Sequence, residues 1–438
     1  MNKNPNGILR KDGVSFLVPF IMITCCFAMW GFANDVTNPM VKSYSTIFQM
    51  SVFEGSLVQV AFYLGYFVMA FPAAMFIQRY SFKAGVLMGL TLYAIGALAF
   101  IPAKWTGIYY TFLLAYFVMT CGLSFLETSC NPYIYCMGSE DTATQRLNFA
   151  QSFNPIGAVT GTIVAWLFVQ QQLDPTDSAT RAQLVTSNPQ QFEALKDHDL
   201  GILIQPYVYI GIVVILLLLA IRLTRMPKAS DGGSNKSLFT AIKELIHVKN
   251  YREGVVAQFF YVGAQVTCWT FIMHYGHELF CENGGMTERA ASSLSFRYYI
   301  AALVLFTVGR FICTWFLKYI KPGRLLAILA VAAMVCLVGV ALFNDIKGMY
   351  CLVAVSGCMS LMFPTIYGIA LKGLGENVKF GGAGLIMSIL GGSILPPMQA
   401  AIMDTHTSVA GLSAIHLSYI VPFFCFLIVA SYGVRAKA

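Results

Sequence analysis

Two carboxylates stand inside long apolar stretches of this sequence, where acidic side chains are costly. They are Asp35, within GFANDVTNPM, and Glu127, within GLSFLETSCNPYIY. An acidic residue at the centre of a membrane helix costs roughly 2.5 to 3.5 kcal/mol on insertion scales. A residue kept at that cost is by default part of a binding site or an ion path. Arg310 is the matching base inside an apolar stretch.

The chemistry available to Glu127 is proton carriage or hydrogen bonding to a sugar hydroxyl. A carboxyl group held out of water can keep a proton near neutral pH and exchange it when a cavity opens. The alternative for Glu127 is a hydrogen bond or ion pair that only fixes helix packing. Arg310 lies near one end of its stretch, and we expect it to act in gating or in a packing pair.

Asp35 lies among amide side chains on one helix face. Asn34 precedes it, and Asn38 follows three residues later, on the same face. This polar face is typical of a water-filled cavity. The alternative is that Asp35 lies close enough to the outer end of its helix to be solvated.

Further amides and a tryptophan could bind a polyol. Gln151 and Asn154 follow Asn148 at three-residue spacing, and amides donate and accept hydrogen bonds together. Gln265 and Trp269 are four residues apart, and an indole can pack on the apolar face of a sugar. The alternatives are amide bonds between helices and anchoring of the indole at the membrane interface. We expect the nearby histidines, His274 and His277, to be solvated and too isolated for a metal site.

The composition predicts a membrane protein with many spans. Of 438 residues, 57% are hydrophobic and only 11% are charged, with a mean hydropathy of +0.68. A soluble chain is about a quarter charged. The net charge of +8 is dispersed between apolar stretches and does not indicate a nucleic-acid partner. We find no ATP-binding, hydrolase or metal-ligand motif, so we expect neither an enzyme nor a cofactor or metal.

Twelve stretches reach the roughly 20 mostly apolar residues that a membrane span needs. They are Val14–Met40, Gly55–Ile77, Ala84–Ala103, Ile108–Met137, Leu147–Val169, Ile202–Leu223, Gly254–Leu279, Leu294–Leu317, Leu325–Phe343, Met349–Leu371, Gly381–Met403 and Ile415–Val434. Gln170–Gly201 is a polar loop in this interpretation. Similar segments follow the second and eighth spans, which is typical of parallel repeats with a binding site between them.

These observations predict an all-α polytopic membrane protein of two pseudo-symmetric six-helix halves. The halves are residues 1–224 and 254–438, and a cytoplasmic linker at 225–253 joins them with a basic amphipathic piece at its end. Most Lys and Arg residues between the spans fall on the side of both termini, so we expect both termini in the cytoplasm.

Seven segments spread over both halves resemble one family of transporters. They are AFYLGYF with FPA, YSFKAG, GLSFLETSCNP, RLNFAQSFNPIGA, AQFFYVGAQVTCW, GRF with TW, and FPTI followed by LG. These segments resemble the fucose permeases, which are L-fucose-proton symporters of the major facilitator superfamily. The resemblance implies the major facilitator fold and alternation between outward-open and inward-open states. Related members carry glucose or galactose, so the segments favour a sugar without identifying it.

The resemblance also implies roles for particular residues. In the fucose permeases, the glutamate of LET-x-x-NP takes part in proton and sugar handling, and that residue is Glu127 here. Gln151 and Asn154 match the amides of the fifth-span segment.

Two positions depart from the fucose-permease pattern. The family's first-span aspartate ends A-N-N-L-N-D, where this chain has Asn38, and the acid is instead Asp35. The carboxylate has moved along the helix face, or coupling rests on Glu127 alone or uses another ion. The family tyrosine before P-T-I is Phe363 here, which removes a hydroxyl and affects sugar choice.

We therefore expect a secondary sugar importer that carries L-fucose with protons in the plasma membrane, the bacterial inner membrane. Glu127 and Asp35 are the predicted proton-coupling residues. The predicted substrate-binding residues are Asn34, Asn38, Gln151, Asn154, Gln265, Trp269 and Phe363. The alternatives left open are a glucose or galactose transporter of the same family, coupled to protons or sodium, and a sugar sensor without transport. The expected partners are the monosaccharide, the ion and the lipid bilayer, and we expect a monomer.

Overall fold

The computed structural model is nearly all helical and describes residues 9–11, 14–37, 40–137, 149–226, 238–282, 284–316, 319–374, 377–405 and 412–436. Twelve helices in this part of the chain are long and apolar enough to cross a membrane, which confirms the predicted number. Spans 1 to 6 are Leu17–Thr37, Val52–Arg79, Phe82–Thr106, Tyr109–Asn131, Phe149–Gln170 and Pro189–Leu223. Spans 7 to 12 are Lys249–Cys281, Glu288–Cys313, Pro322–Leu342, Ile346–Leu371, Phe380–Met403 and Ala414–Arg435. We refer to spans 1–6 as the N half and to spans 7–12 as the C half.

Several spans consist of more than one helical segment, and shorter elements lie between spans. The helices of spans 4 and 8 continue to Cys136 and Phe316. Span 3 consists of Phe82–Leu98 and Phe100–Thr106, span 5 contains Phe153–Val164 and the π-helix Ala165–Gln170, and span 7 contains Lys249–Thr270, Ile272–His277 and the π-helix Glu278–Glu282. Span 10 contains Ile346–Met359 and Met362–Leu371, and span 12 contains Ala414–Ser418 and Ile420–Arg435. The segments of span 11 are Val378–Met387, Ser388–Leu390 and Gly391–Met403. The connecting helices are Met40–Phe48, Ser178–Ser187 and Leu238–His247, and Arg10–Lys11 pairs antiparallel with Val14–Ser15.

The two halves share the same pattern of neighbouring helices. Span 1 packs on span 5 as span 7 packs on span 11, and spans 2 and 3 contact span 4 as spans 8 and 9 contact span 10. In both halves a glycine allows the first of these contacts. A Cβ at Gly157 would lie 2.0 Å from the carbonyl oxygen of Ala28, and one at Gly391 would lie 1.9 Å from that of Phe259. The helix backbones therefore meet at distances that only glycine permits.

The predicted polar loop at 170–201 is largely helical, which corrects the sequence interpretation. Ser178–Ser187 forms a helix, and the sixth span begins at Pro189 instead of Ile202. Asn188 caps this longer helix by accepting a hydrogen bond from the backbone of Gln191, and proline suits its first position. Arg181 is buried and donates to the Asp199 carboxylate at 2.6 Å, which ties the short helix to the long one.

The region predicted as a linker, 225–253, is also more structured than expected. Span 7 begins at Lys249 instead of Gly254. The helix Leu238–His247 is amphipathic, and its Ala241 and Leu245 side chains pack against the C half near Tyr251. Residues 227–237 lie outside the described residues.

The expectation that His274 is solvated is wrong. Its side chain is buried in span 7, and its ring packs edge-on against Phe271 with the centroids 5.5 Å apart. His277 is only half-buried, and its Nε2 lies 3.9 Å from the Glu288 carboxylate. A position near the end of a helix did not imply exposure, because neighbouring spans cover this end of the bundle.

Candidate functional site

A cavity of about 990 Å³, including space open to solvent, lies between the N half and the C half. Spans 1, 2, 4 and 5 line it on one side, and spans 7, 8, 10 and 11 line it on the other. Of the ten predicted site residues, nine are described, and all nine line this cavity: Asn34, Asp35, Glu127, Gln151, Asn154, Gln265, Trp269, Arg310 and Phe363. Asn38, like Asn148, lies outside the described residues. The structure thus brings together side chains that are up to 329 positions apart, from Asn34 to Phe363.

Asp35 is buried and bonded across the cavity to the opposite half. Asp35 is only 4% exposed, which contradicts the alternative of a solvated group at a helix end. Its Oδ1 accepts a hydrogen bond of 2.9 Å from the hydroxyl of Tyr299 in span 8. A carboxylate of the N half is therefore held by a donor of the C half.

Glu127 belongs instead to a polar network within the N half. Its residue is 8% exposed, and Tyr66 of span 2 lies beside its carboxylate. The amide of Asn131 donates to the backbone carbonyl of Glu127 at 3.1 Å, and Gln151 donates to the Asn131 amide oxygen at 3.0 Å. The chain of amides connects span 5 to span 4 and leaves the carboxylate facing the cavity.

Asn34 and Asn154, which both line the cavity from the N half, differ in what they have left to bind. With its amide oriented so that both atoms are satisfied, Asn154 accepts hydrogen bonds from the indole of Trp30 and, at 3.2 Å, the backbone of Gly31. Asn154 therefore holds span 5 to span 1, as the packing alternative proposed. The Oδ1 atom of Asn34, in contrast, is buried without a hydrogen-bond partner. Within the described part of the chain, Asn34 therefore has an acceptor still to satisfy.

The C half contributes an aromatic wall. The indole N–H of Trp269 donates to Ser356 Oγ at 3.0 Å, and its ring meets Phe306 edge-on at 5.0 Å. Trp269 is buried inside the bundle and is not an anchor at the membrane interface. Phe363 continues the wall from span 10. The Gln265 amide also lines the cavity and makes no side-chain hydrogen bond with the described part of the chain.

Arg310 contacts the C half. Its Nε donates to the carbonyl of Ser360 at 3.1 Å, and its guanidinium lies 4.9 Å from the ring centroid of Phe306. The bond to Ser360 joins span 8 to span 10. The group also lines the cavity, so it places a cation opposite the carboxylates of the N half.

Sequence reasoning missed four residues: Tyr63, Tyr66 and Asn131, which line the cavity, and Tyr299, which is not part of the lining but donates a hydrogen bond to Asp35. Tyr63 lines the cavity within electrostatic reach of both Asp35 and Glu127. The segments AFYLGYF and LETSCNP contain three of the four, but a tyrosine in an apolar helix is as common in a core as in a site. Tyr299 has no local signal, because its importance depends on a residue 264 positions away.

One end of the bundle is closed by contacts between the halves. We define this closed end as residues 48–53, 170–178, 284–289 and 403–405. The Asp404 carboxylate accepts hydrogen bonds from the backbone N–H groups of Val52 (3.1 Å) and Phe53 (2.8 Å), at the first turn of span 2. The Glu288 carboxylate likewise accepts from the backbone N–H (3.1 Å) and hydroxyl (3.0 Å) of Ser178, where a second helix begins.

The opposite end has a different character in the described residues. There, no hydrogen bond or ion pair joins the N half to the C half. The polar contacts between the halves all lie at the closed end or between it and the cavity, as for Gln59 with Thr270 at 3.0 Å. Among the described residues, polar contacts between the halves therefore seal one end of the cavity.

The sequence model of the Major Facilitator Superfamily matches residues 21–415. The chain belongs to this superfamily. It is 46% identical over 425 residues to the L-fucose-proton symporter of Haemophilus influenzae, with 96% of this chain and 97% of the relative covered. It is 34% identical to the L-fucose-proton symporter of Escherichia coli, with 95% and 92% covered. A glucose/galactose transporter of Brucella abortus is 29% identical, with 94% and 92% covered.

Solved structures agree with this assignment. A crystal structure of the transporter FucP in the outward conformation matches with a TM-score of 0.75 at 30% identity, covering 97% of this chain and 99% of that one. The D-xylose-proton symporter shares the fold alone, with 12% identity and a TM-score of 0.67 over 97% and 98% of the two chains. The predicted major facilitator fold and the resemblance to fucose permeases are confirmed. The chain is a multi-pass membrane protein of a transporter superfamily and not an enzyme.

Proposed function

We propose that this protein imports L-fucose together with protons by alternating access. The observation that carries the proposal is the single cavity in which both intramembrane carboxylates meet amides and an aromatic wall. The two relatives of 46% and 34% identity, both named L-fucose-proton symporters, support the choice of sugar and ion.

The cavity suits a monosaccharide on chemical grounds. A sugar has hydroxyl groups around its ring and apolar C–H faces. Asn34, Gln265 and Glu127 offer acceptors or donors to the hydroxyls, and Trp269 offers a ring that can pack on a C–H face. Gln151 and Asn154 support this site by fixing Asn131 and span 1, and Phe363 borders it.

Glu127 is the proposed proton carrier, with Asp35 assisting. Both carboxylates are buried and both face the cavity. A proton taken up by such a group makes it neutral, so the loaded carrier can change conformation without moving a bare charge through the protein. Asn38, at the family's aspartate position and one residue beyond span 1 in the sequence, is the remaining proposed ligand.

Orientation in the membrane is also part of this proposal. The distribution of Lys and Arg supports cytoplasmic termini in a bacterial inner membrane. With this orientation the closed end would face outward, as expected for an inward-facing state. The halves 1–224 and 254–438, joined by the segment 225–253, would rock about the cavity. The protein would act as a monomer in the bilayer.

The second candidate is a glucose or galactose transporter, coupled to protons or sodium. Phe363 at the place of a family tyrosine and the Brucella abortus relative favour it. That relative is less similar, at 29% against 46% identity. We therefore place L-fucose first.

The test is uptake of labelled L-fucose by purified protein in liposomes, with and without an inward proton gradient at constant sodium. We expect accumulation above the outside concentration only with the gradient. Equilibration without accumulation would contradict proton coupling. Absence of any fucose flux, with glucose or galactose flux in the same liposomes, would establish the second candidate instead.

A further inference from the structure

The hydrogen bond between Asp35 and Tyr299 joins a candidate proton-coupling group to the opposite half of the molecule. Tyr299 is completely buried and its hydroxyl donates to Asp35 at 2.9 Å. Span 1 carries the acceptor and span 8 carries the donor. The bond lies between the cavity and the closed end, so it is made while the halves are together at that end.

Other titratable groups lie on the elements around Asp35. Tyr63 of span 2, Glu127 of span 4 and Arg310 of span 8 line the same cavity. Lys42, on the helix after span 1, lies 3.9 Å from Glu288. Tyr207 of span 6 shares a hydrogen bond of 2.7 Å with Tyr116 of span 4, and the described part of span 5 has no titratable side chain.

A hydroxyl donor affects the two forms of a carboxyl group unequally. A hydrogen bond to a carboxylate is charge-assisted and stronger than one to a neutral acid. A donor placed 2.9 Å from Asp35 therefore favours the ionised form over the protonated one. Separation of span 8 from span 1 would remove that donor and favour the protonated form.

We propose that Tyr299 is a positioning residue that couples closure of this end to release of the proton from Asp35. Closure brings the Tyr299 hydroxyl to the carboxyl group, the acid O–H bond breaks, and the proton passes to water in the cavity. Tyr299 keeps its own proton and donates it in a hydrogen bond to the carboxylate. The inference rests on the proposed function, since it assigns one step of the transport cycle to a residue.

The test uses Tyr299→Phe, which keeps the ring and removes the hydroxyl. Protein in liposomes is assayed for sugar exchange at equal pH and for net uptake driven by a proton gradient. We expect the rate of sugar exchange to stay within about twofold of wild type. Net uptake at an internal pH of about 7 should be about tenfold lower, because the variant loses one hydrogen bond to a charged group. Raising internal pH by about one unit should restore net uptake, because a tenfold change in proton affinity equals one pH unit.

Tyr275→Phe is the matched control. Tyr275 is also a buried tyrosine, and its hydroxyl donates to the carbonyl of Phe343 at 3.0 Å within the C half. We expect this variant to show no dependence on internal pH beyond that of wild type. In an Asp35→Asn background, Tyr299→Phe should have no further effect that depends on pH, because the coupled acid is gone.

Three results would overturn the proposal. Wild-type net uptake by Tyr299→Phe at every internal pH would show that the hydroxyl has no role in release. A loss that raised internal pH does not restore, or a parallel loss of exchange, would show a structural or sugar-binding role. Failure of wild-type protein to accumulate fucose under the gradient would instead reject the proposed function, and it would be seen before any variant is compared.

Discussion

The two sides of the cavity differ in chemistry although the halves share one helix pattern. The N half supplies both carboxylates and most of the amides that line the space: Asn34, Asp35, Glu127, Asn131, Gln151 and Asn154. The C half supplies aromatic and aliphatic side chains with fewer polar groups: Val262, Gln265, Val266, Trp269, Leu303, Phe306, Thr307, Arg310, Phe363 and Ile389. Similar architecture therefore carries different charge chemistry, since both carboxylates of the lining belong to the N half and the Arg310 guanidinium belongs to the C half, whereas aromatic rings line both sides.

This division implies that coupling depends on closure. A substrate in the cavity touches both sides, and Asp35 has a partner on the other side in Tyr299. Variants of the two N-half carboxylates should then affect coupling to protons, whereas variants of the C-half residues that line the cavity should affect affinity and choice of sugar. The following four changes test that contrast, from the largest expected effect to the smallest.

Glu127→Gln should abolish accumulation of L-fucose in liposomes with a proton gradient, down to the level of empty liposomes. The amide has nearly the shape of the carboxyl group but cannot carry a proton at this site. Exchange of sugar at equal pH should persist. Glu193→Gln is the control, since Glu193 is an exposed acid that pairs with Lys196 at 3.2 Å. If Glu127→Gln still concentrates sugar, the assignment of Glu127 as the proton carrier is wrong.

Asp35→Asn should lower net uptake by about tenfold and flatten its dependence on pH. The amide oxygen can still accept from Tyr299, but the charge that strengthens the bond is lost, which is worth roughly 1.5 kcal/mol or more. Uptake is measured across external pH values, with Asp197→Asn as the control because the Asp197 side chain is 68% exposed. Wild-type uptake at all pH values would make Asp35 a bystander.

Trp269→Phe should weaken apparent affinity and leave coupling intact. The smaller ring loses the hydrogen bond to Ser356, which is worth roughly 0.5 to 1.5 kcal/mol, or about 2- to 10-fold in KM. The ratio of accumulated to external sugar at saturation should not change. Trp315→Phe, at a 52% exposed tryptophan, is the control. Loss of accumulation at unchanged KM would contradict the assignment of the C half to binding.

Phe363→Tyr should change the choice of sugar by a few-fold. A new hydroxyl on the aromatic wall adds a hydrogen-bonding group beside the cavity, and one neutral hydrogen bond is worth roughly 1 kcal/mol. Uptake of L-fucose, glucose and galactose in competition measures the ratio. Phe424→Tyr, at a ring that is 55% exposed, is the control. Equal ratios in wild type and Phe363→Tyr would show that this position does not select the sugar.

Sequence patterns predicted the number of spans and most of the cavity because both depend on the cost of polar groups in a membrane. Glu127 and Asp35 were visible as exceptions to an apolar background, and their neighbours at helical spacing followed. The helix starting at Pro189 was missed because its first turns are polar, and its position depends on the buried pair of Arg181 and Asp199. Contacts between the halves could not be predicted from local sequence patterns either, because Tyr299 meets Asp35 only after the whole bundle has assembled.

The closed end depends on acids in one half and on backbone in the other. Asp404 and Glu288 provide the side chains, whereas Val52, Phe53 and Ser178 receive them chiefly through main-chain N–H groups. Main-chain donors survive almost any substitution, so changes at Val52 and Phe53 cannot delete the donors unless proline is introduced, whereas a change at Ser178 would keep the N–H and remove the hydroxyl. Replacement of the two C-half carboxylates, or of Arg289, which donates to the carbonyl of Gln171 at 2.9 Å, should therefore weaken this end more than replacement of Val52 or Phe53.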